Sequence, residues 1–253
     1  MEKSEKGANY VPFFFNMDKR KFIYFLKELV TEKRLSTFEN VLDLRTKYIT
    51  LVLEDLFQTH NASAVIRSCD CFGVQDVHFI ENKFRYNSNP DVSLGSAQWL
   101  NLVRHNKYEN NTLDTINHLR KNGYRIIATT PHDNDIALEN FDIEKGKFAL
   151  FFGAELHGLS DIVLNNADEF LKINMVGFTE SFNISVSAAI CMYELTKKIR
   201  LSTLDWQLSQ NEKDDVLFKW LMTSIKDSKN IVKLFCQRNN IEFDIKELNN
   251  YLL

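Results

Sequence analysis

Long apolar runs, paired cysteines and glycine-rich turns are all scarce in this 253-residue chain, and each absence narrows what it can be. No apolar stretch approaches the roughly 20 residues needed to cross a bilayer. The N-terminal MEKSEKGANY has no apolar segment behind its charges, so no export signal is expected either. A soluble, cytoplasmic protein with no membrane partner is the expectation. The four cysteines, Cys69, Cys71, Cys191 and Cys236, lack CxxC spacing and lie in apolar or helical surroundings. That favours free buried thiols over disulfides or a zinc site, and no metal is expected. Also missing is the glycine-rich strand-to-helix turn that cradles a dinucleotide in Rossmann-type proteins, since the first apolar strand runs into Glu54, Asp55, Leu56 and Phe57. A nucleotide-like cofactor would have to bind by other means. There is no internal repeat and no low-complexity segment.

What is present suits a large core. Hydrophobic residues make up 44% of the chain and 20 of them are Phe, enough for one large core or a core domain with small appendages. The net charge of −3 argues mildly against non-specific coating of nucleic acid, but the charge is unevenly spread. Residues 1–34 carry a net +3, residues 35–200 a net −5 and residues 201–253 a net −1. The positive segment hints at an anionic partner, with a solvated helix face as the plain alternative.

The order of the apolar patterns predicts α/β architecture. Residues 48–53 read as a first buried strand, followed by a helix near 62–72, a strand at 74–80, a loop at 81–95, a strand near 99–104, a helix at 112–122 and a strand at 124–130. Two further strands, 148–152 and 170–175, precede a helix of small residues beginning near Ser185. Such alternation implies a largely parallel sheet with helices on both faces. Three segments result: a helical N-terminal extension (1–47), an α/β domain (48–200) and a helical C-terminal extension (201–253). In the first, residues 18–34 form a basic amphipathic helix around Phe22, Phe25, Leu26 and Leu29, and Ser36 with Glu39 matches the capping box of a second helix reaching about Arg45. In the last, helices are expected at 214–226, 230–238 and 245–252. That tail is too small to form a core alone, so it should pack on the main domain, on the N-terminal extension or on another subunit.

Chemistry concentrates in three places. The first is the run from Thr59 to Asp70, where Asn61 is a plausible helix N-cap and Arg67 sits on an otherwise apolar Ala64/Val65/Ile66 face. Arg is seldom buried without an anionic partner, so Arg67 either pairs with Asp70 or Asp55 or is presented to a phosphate. The second is the turn Gly153, Ala154, Glu155, Leu156, His157, Gly158, which places a carboxylate directly after a buried strand. The third is 174–187, where a strand end, a loop and a helix start occur in succession, the place where open α/β sheets bind ligands. A plain structural account of the last two also exists: turn glycines, Asn183 as an N-cap, and small residues on a closely packed helix.

Taken together, HNASAVIRSCDCFGV (60–74), GSAQWL (95–100), LFFGAELHGLS (150–160) and INMVGFTESFNISVSAAICMYE (173–194) resemble the three signature motifs of the SpoU/TrmH class of RNA ribose 2′-O-methyltransferases, in the SPOUT superfamily. The resemblance covers about 36–200, with the motifs in the family's order and spacing. It implies a parallel sheet whose C-terminal part threads a deep trefoil knot, a rare exception to unknotted chains. It implies S-adenosyl-L-methionine (AdoMet) held in the knot by Thr129, Gly153, Ile173, Met175 and Phe182, with Ser181 and Asn183 at the rim. It assigns Arg67 to activation of the ribose hydroxyl, with Asn61, Glu155 and Asn183 completing the site. Arginine, with a side-chain pKa above about 12, is a poor general base. Two roles for Arg67 therefore stay open: the base, or a clamp on the neighbouring phosphate whose oxygen takes the proton. The family usually has Pro where this chain has Asn174. Short helical extensions resemble the tRNA-acting branch, which methylates the D-loop guanosine ribose, with ribosomal RNA methylation or a non-catalytic RNA-binding protein as the alternatives. A homodimer is implied. Lys19, Arg20 and Lys21 are the candidate tRNA contacts.

Overall fold

The sheet is organised by one strand that has water on neither face. A computed structural model describes residues 19–86, 95–131, 135–155 and 157–239. The chain divides into two compact units, one within Asp43–Leu208 and one from the two ends of the chain, Met1–Leu42 and Ser209–Leu253. In the larger unit β6 (Phe148–Phe152) is buried along its whole length, as is β1 (Ile49–Glu54) beside it. Around them lie β2 (Asp76–Ile80), β3 (Asn101–His105), β4 (Arg125–Thr129), the short β5 (Ile136–Ala137) and β7 (Glu169–Lys172). The seven strands run in the order β3-β2-β1-β6-β4-β7-β5, and every pairing is parallel. A parallel sheet needs cover on both sides, which explains why its strands read as continuous apolar runs.

Strand periodicity divides the core in two. Phe148, Leu150 and Phe152 join Leu51, Leu53 and Val77 in one apolar cluster, with Val65, Ile66 and Cys69 of α3 (Thr59–Phe72) and Ala188, Met192 and Leu195 of α6 (Ile184–Leu201). Ala149 and Phe151, pointing the other way, pack with Val52, Ile126 and Ala128. Cover there comes from Ile116 and Leu119 of α4 (Thr112–Lys121) and Val163 of α5 (Asp161–Asn166). Successive side chains of a strand face opposite sides, so a one-residue slip of β6 would exchange the two sets.

The smaller unit has its own aromatic centre. Helices α1 (Lys19–Lys27) and α2 (Glu32–Leu42) pack on α7 (Gln210–Ser224), followed by α8 (Ser228–Arg238). The Phe22 ring lies 4.6 Å from that of Phe235 and 5.7 Å from that of Phe218, and Phe38 lies 5.6 Å from Trp220. Two helical ends that are each too short to enclose a core do so jointly.

Several local expectations are corrected. The single helix expected over 18–34 ends at Lys27, and α2 begins at Glu32, with Thr31 Oγ1 accepting from Arg34 N at 3.3 Å. Ser36 and Glu39 therefore lie inside α2, and the capping box is instead at Ser209 and Glu212 of α7. Asn61 is not an N-cap: the helix starts two residues earlier, behind an extended Gln58, because the Asn61 amide is engaged elsewhere. Arg67 is not on the apolar face; Val65 and Ile66 are buried, whereas Arg67 is exposed. Cys71 is exposed, while the other three thiols are buried and free. The short α5 and β5 lacked enough sequence to show a period. The helix expected at 245–252, Leu156 and part of the 81–95 loop lie outside the described residues. Among the described residues no helix is long and apolar enough to cross a membrane.

Three histidines that sequence reading did not single out meet near the β3 edge. His78 Nδ1 and His105 Nε2 are 3.0 Å apart, and the His118 ring centroid is 5.9 Å from that of His105. Burial, then His105, His118 and Lys47, hold His78 down to about 3; burial, then His118 and Lys107, hold His105 down to about 4. Protonating both would also leave two donors facing each other. Because the folded pKa values lie below the roughly 6.5 of a free imidazole, the unfolded chain binds more protons in between. Stability is therefore expected to fall as pH drops from about 6.5 towards 4, read as a decline in the thermal midpoint, and His105→Gln should flatten that decline.

Candidate functional site

Every strand of a parallel sheet delivers its C-terminal end to the same edge, and here the chain changes direction in the middle of it. It builds β1, β2 and β3 outward on one side, crosses to β4 on the other, and later lays β6 into the gap between β1 and β4. Ligands bind at such a switch point, beyond the carboxyl ends of the strands. A cavity of about 590 Å³ opens there, within the roughly 300–1,000 Å³ usual for small-ligand sites.

Gly153 makes this edge possible. After β6, Ala154 and Gly158 exchange two backbone hydrogen bonds, of 3.0 and 2.8 Å, closing a tight turn with Glu155 on it. A Cβ on Gly153 would collide with the backbone of Gly158 and Leu159, so the residue must be glycine for the turn to fold back on the strand. The far end of the turn is pinned by Glu54, a buried carboxylate at the end of β1. It accepts from Ser160 N at 2.9 Å, Ser160 Oγ at 2.8 Å and Thr112 Oγ1 at 2.8 Å. Nothing in the sequence singles out Glu54, because its polar partners are 58 and 106 residues away in the chain.

Asn61 joins three segments. Its side chain is buried, donating from Nδ2 to Glu155 Oε1 at 2.6 Å and to Gln58 Oε1 at 3.1 Å, while Oδ1 accepts from Asn183 Nδ2 at 3.2 Å. Asn183 in turn caps α6, its Oδ1 accepting from Ser185 N at 2.9 Å and from Ser185 Oγ at 2.6 Å. The start of α3, the turn after β6 and the start of α6 are thus tied through two carboxamides and a carboxylate.

Asn61, Glu155 and Asn183 all line the cavity, as do Thr129, Gly153, Ile173, Met175, Ser181 and Phe182. Its wall is largely apolar, with Phe152, Leu171, Ile184 and the thiol of Cys191. Burial pushes Cys191 up to about 12, so it is a neutral wall group rather than a nucleophile. Thr129 is oriented by donation to Phe151 O at 2.7 Å, and Asn174 donates to Glu139 Oε1 at 2.7 Å. An apolar slot with hydroxyl and carboxamide groups at its rim, and one carboxylate able to face a cation, fits a nucleoside carrying a sulfonium.

Four of the sequence candidates lie outside this cavity. Arg67 is exposed on α3, six residues beyond Asn61, or about 9 Å along a helix axis. Neither acid considered for it is its partner: Asp70 pairs with Arg45, and Asp55 accepts from the backbone of Asn82 and Lys83 at 2.8 and 2.7 Å. Lys19 and Arg20 belong to the helical unit, where they pair with Asp215 and Asp214 of α7, and Lys21 is exposed on α1.

Comparison with known proteins bears on the same segments. The model of the SpoU rRNA Methylase family matches residues 48–193. The chain is 46% identical to a tRNA (guanosine(18)-2′-O)-methyltransferase of Borreliella burgdorferi over 83% of its own length and 94% of that protein. It is 32% identical to the enzyme of the same name from Thermus thermophilus, covering 66% of this chain and 84% of the relative. A solved structure described as an A. aeolicus TrmH/SpoU tRNA modifying enzyme superposes with a TM-score of 0.68 at 26% identity, over 78% of this chain and 98% of that one.

Two variants probe this edge. Gly153→Ala should displace the turn, lowering the thermal midpoint and abolishing ligand binding in the cavity. Asn61→Ala should cost only about 1 kcal/mol of folding stability, because Glu155 and Asn183 are exposed enough to turn to water, yet it should remove activity. Denaturant unfolding and turnover measured side by side check the difference.

Proposed function

Because this chain belongs to the SpoU rRNA methylase family, we propose that it transfers the methyl group of AdoMet to a ribose 2′-hydroxyl of tRNA, at the D-loop guanosine. The observation that carries the reading is the junction of Asn61, Glu155 and Asn183 over an apolar cavity at the switch point. The names of the relatives support tRNA as the substrate and guanosine as the nucleoside.

In this reading Thr129, Gly153, Ile173, Met175, Ser181 and Phe182 hold AdoMet. The C-terminal part of the domain forms a deep trefoil knot, a reading supported by the position of β7 between β4 and β5, both earlier in the chain. Bound there, AdoMet supplies a methyl group on a sulfonium that leaves as a neutral thioether. The protein's part is alignment, which by itself can supply several kcal/mol of a transfer barrier, about 7–11 in favourable cases. Glu155 offers negative charge to the sulfonium side, and Asn61 fixes its carboxylate. Asn183 sets the start of α6 beside the reacting centre. Phe182 and Ile173 exclude water.

Arg67 acts from outside the cavity. No hydrogen bond or ion pair is made by its side chain among the described residues, and a long cation leaning towards the N-terminus of α3 suits a phosphate next to the target ribose. It orients the 2′-hydroxyl, and a phosphate oxygen takes the proton. Arg20, whose side chain is 70% exposed even in its ion pair, and Lys21 add phosphate contacts from the helical extension, with Lys19 more enclosed against Asp215. The protein works as a homodimer in the cytoplasm. The exposed apolar residues Val186, Tyr193 and Leu201 of α6 support the dimer as the surface a second copy covers.

Incubation with labelled AdoMet and an unmodified tRNA transcript, followed by nuclease mapping, should place one methyl on a D-loop guanosine ribose. Label on a base would overturn ribose methylation, and label on ribosomal RNA alone would overturn the tRNA assignment. Arg67→Ala should reduce turnover by about 100-fold, the order of cost of misplacing a reacting group, while calorimetry shows AdoMet affinity unchanged.

A further inference from the structure

Two phenylalanines beside the junction are exposed where burial would be expected. Phe57 is 69% exposed and Phe84 39%, and their rings meet edge to face with centroids 5.1 Å apart. Phe57 immediately precedes Gln58, which lines the cavity and accepts from Asn61. Phe84 comes from the segment after β2, and that segment is rigidly built. Asp55 adopts a left-handed φ of 48° and turns its carboxylate to the backbone N–H groups of Asn82, Lys83 and Phe84, at 2.8, 2.7 and 3.4 Å. Asn82 is held further by Thr112 at 3.0 Å and Asn111 N at 2.7 Å. On the other side, Tyr86 is buried, stacks on Phe79 with centroids 4.5 Å apart, and has its hydroxyl 3.4 Å from that of Ser63 on α3. Phe84 is therefore fixed between two anchored neighbours, and its exposure is not slack.

The charged side chains on either side of Phe84 in the chain are both basic. Lys83 and Arg85 flank Phe84, both exposed, and neither side chain has a partner among the described residues. Arg67 is exposed on α3, the helix that Phe57 and Gln58 lead into. The acids of these segments, Asp55 and Glu81, are turned inward: Glu81 is buried and accepts from Tyr86 N at 2.9 Å. Fixed aromatic faces within a basic rim match single-stranded nucleic acid, which offers phosphates to the cations and base faces to the rings.

We propose that Phe57 and Phe84, framed by Lys83 and Arg85, form a stacking platform for an unpaired RNA base next to the nucleoside being modified. The platform rests on the proposed methyl transfer to RNA and adds the element that holds a neighbouring base. It gives the larger unit its own RNA-binding surface. A loop guanosine can reach the cavity only if it is unstacked, and the platform supplies a replacement face for a base displaced with it.

The test uses the full chain with an unmodified tRNA transcript as the probe, binding being read by fluorescence anisotropy. Phe57→Leu keeps apolar bulk but removes the ring, and should weaken tRNA binding about tenfold. Its thermal midpoint and AdoMet affinity should be unchanged. Phe57→Trp should retain wild-type affinity, and its added indole fluorescence should be quenched by tRNA. Lys83→Gln with Arg85→Gln should reduce the salt dependence of binding. Wild-type affinity in Phe57→Leu, or an unquenched indole in Phe57→Trp, overturns the platform. So does a change of oligomeric state in Phe57→Leu with tRNA affinity intact, which would assign the rings to a contact between copies. If wild-type protein methylates tRNA while Phe57→Leu binds it normally, only the platform falls. If wild-type protein neither binds nor methylates RNA, the proposed function falls with it.

Discussion

Burial of β6 on both faces is the constraint from which the site follows. A strand between β1 and β4, with apolar cover on each side, has no place for polar chemistry along its length. Backbone groups there are committed to two neighbouring strands. Chemistry can begin only where the strand stops, and it stops at a glycine that folds the chain back on itself. The carboxylate of Glu155 is then placed at the mouth of the cavity, where the Asn61 amide holds it.

The polar junction above that strand is economical in charge. Asn61 is buried, and a carboxamide there costs far less than an ion would, provided its donors and acceptor are used, as they are. Glu54 illustrates the dearer alternative: a buried carboxylate accepting three hydrogen bonds from the turn and from α4. The two devices divide the work. Glu54 secures the turn after β6 to the sheet, and Asn61 secures it to the helix starts.

Strand existence was legible where a short apolar run is bounded by turn residues: 148–152 was expected and is observed as Phe148–Phe152, whereas 170–175 is a strand only over Glu169–Lys172. Helix starts were less so. Asn61 has the chemistry of a cap and sits near a helix start, but its amide has stronger partners at Gln58 and Glu155, one of them 94 residues away. Ser36 and Glu39 have capping-box spacing inside a helix that Thr31 had already begun. Spacing alone does not say which hydrogen bond wins. The exposed Phe57 and Phe84 left no signal either, since a sequence with 20 Phe reads each of them as core.

The amino-acid order by itself determined that this chain is α/β, where its buried strands run, and which short motifs carry the family resemblance. These depend on periodicity and local residue type, which act over a few positions. Only the tertiary structure decided that Asn61, Glu155 and Asn183 share one hydrogen-bonded junction, that Arg67 stands outside the cavity, and that two short helical ends form one aromatic core. Those outcomes depend on which distant groups meet, and meeting is settled by the packing of the sheet and helices rather than by any spacing along the chain.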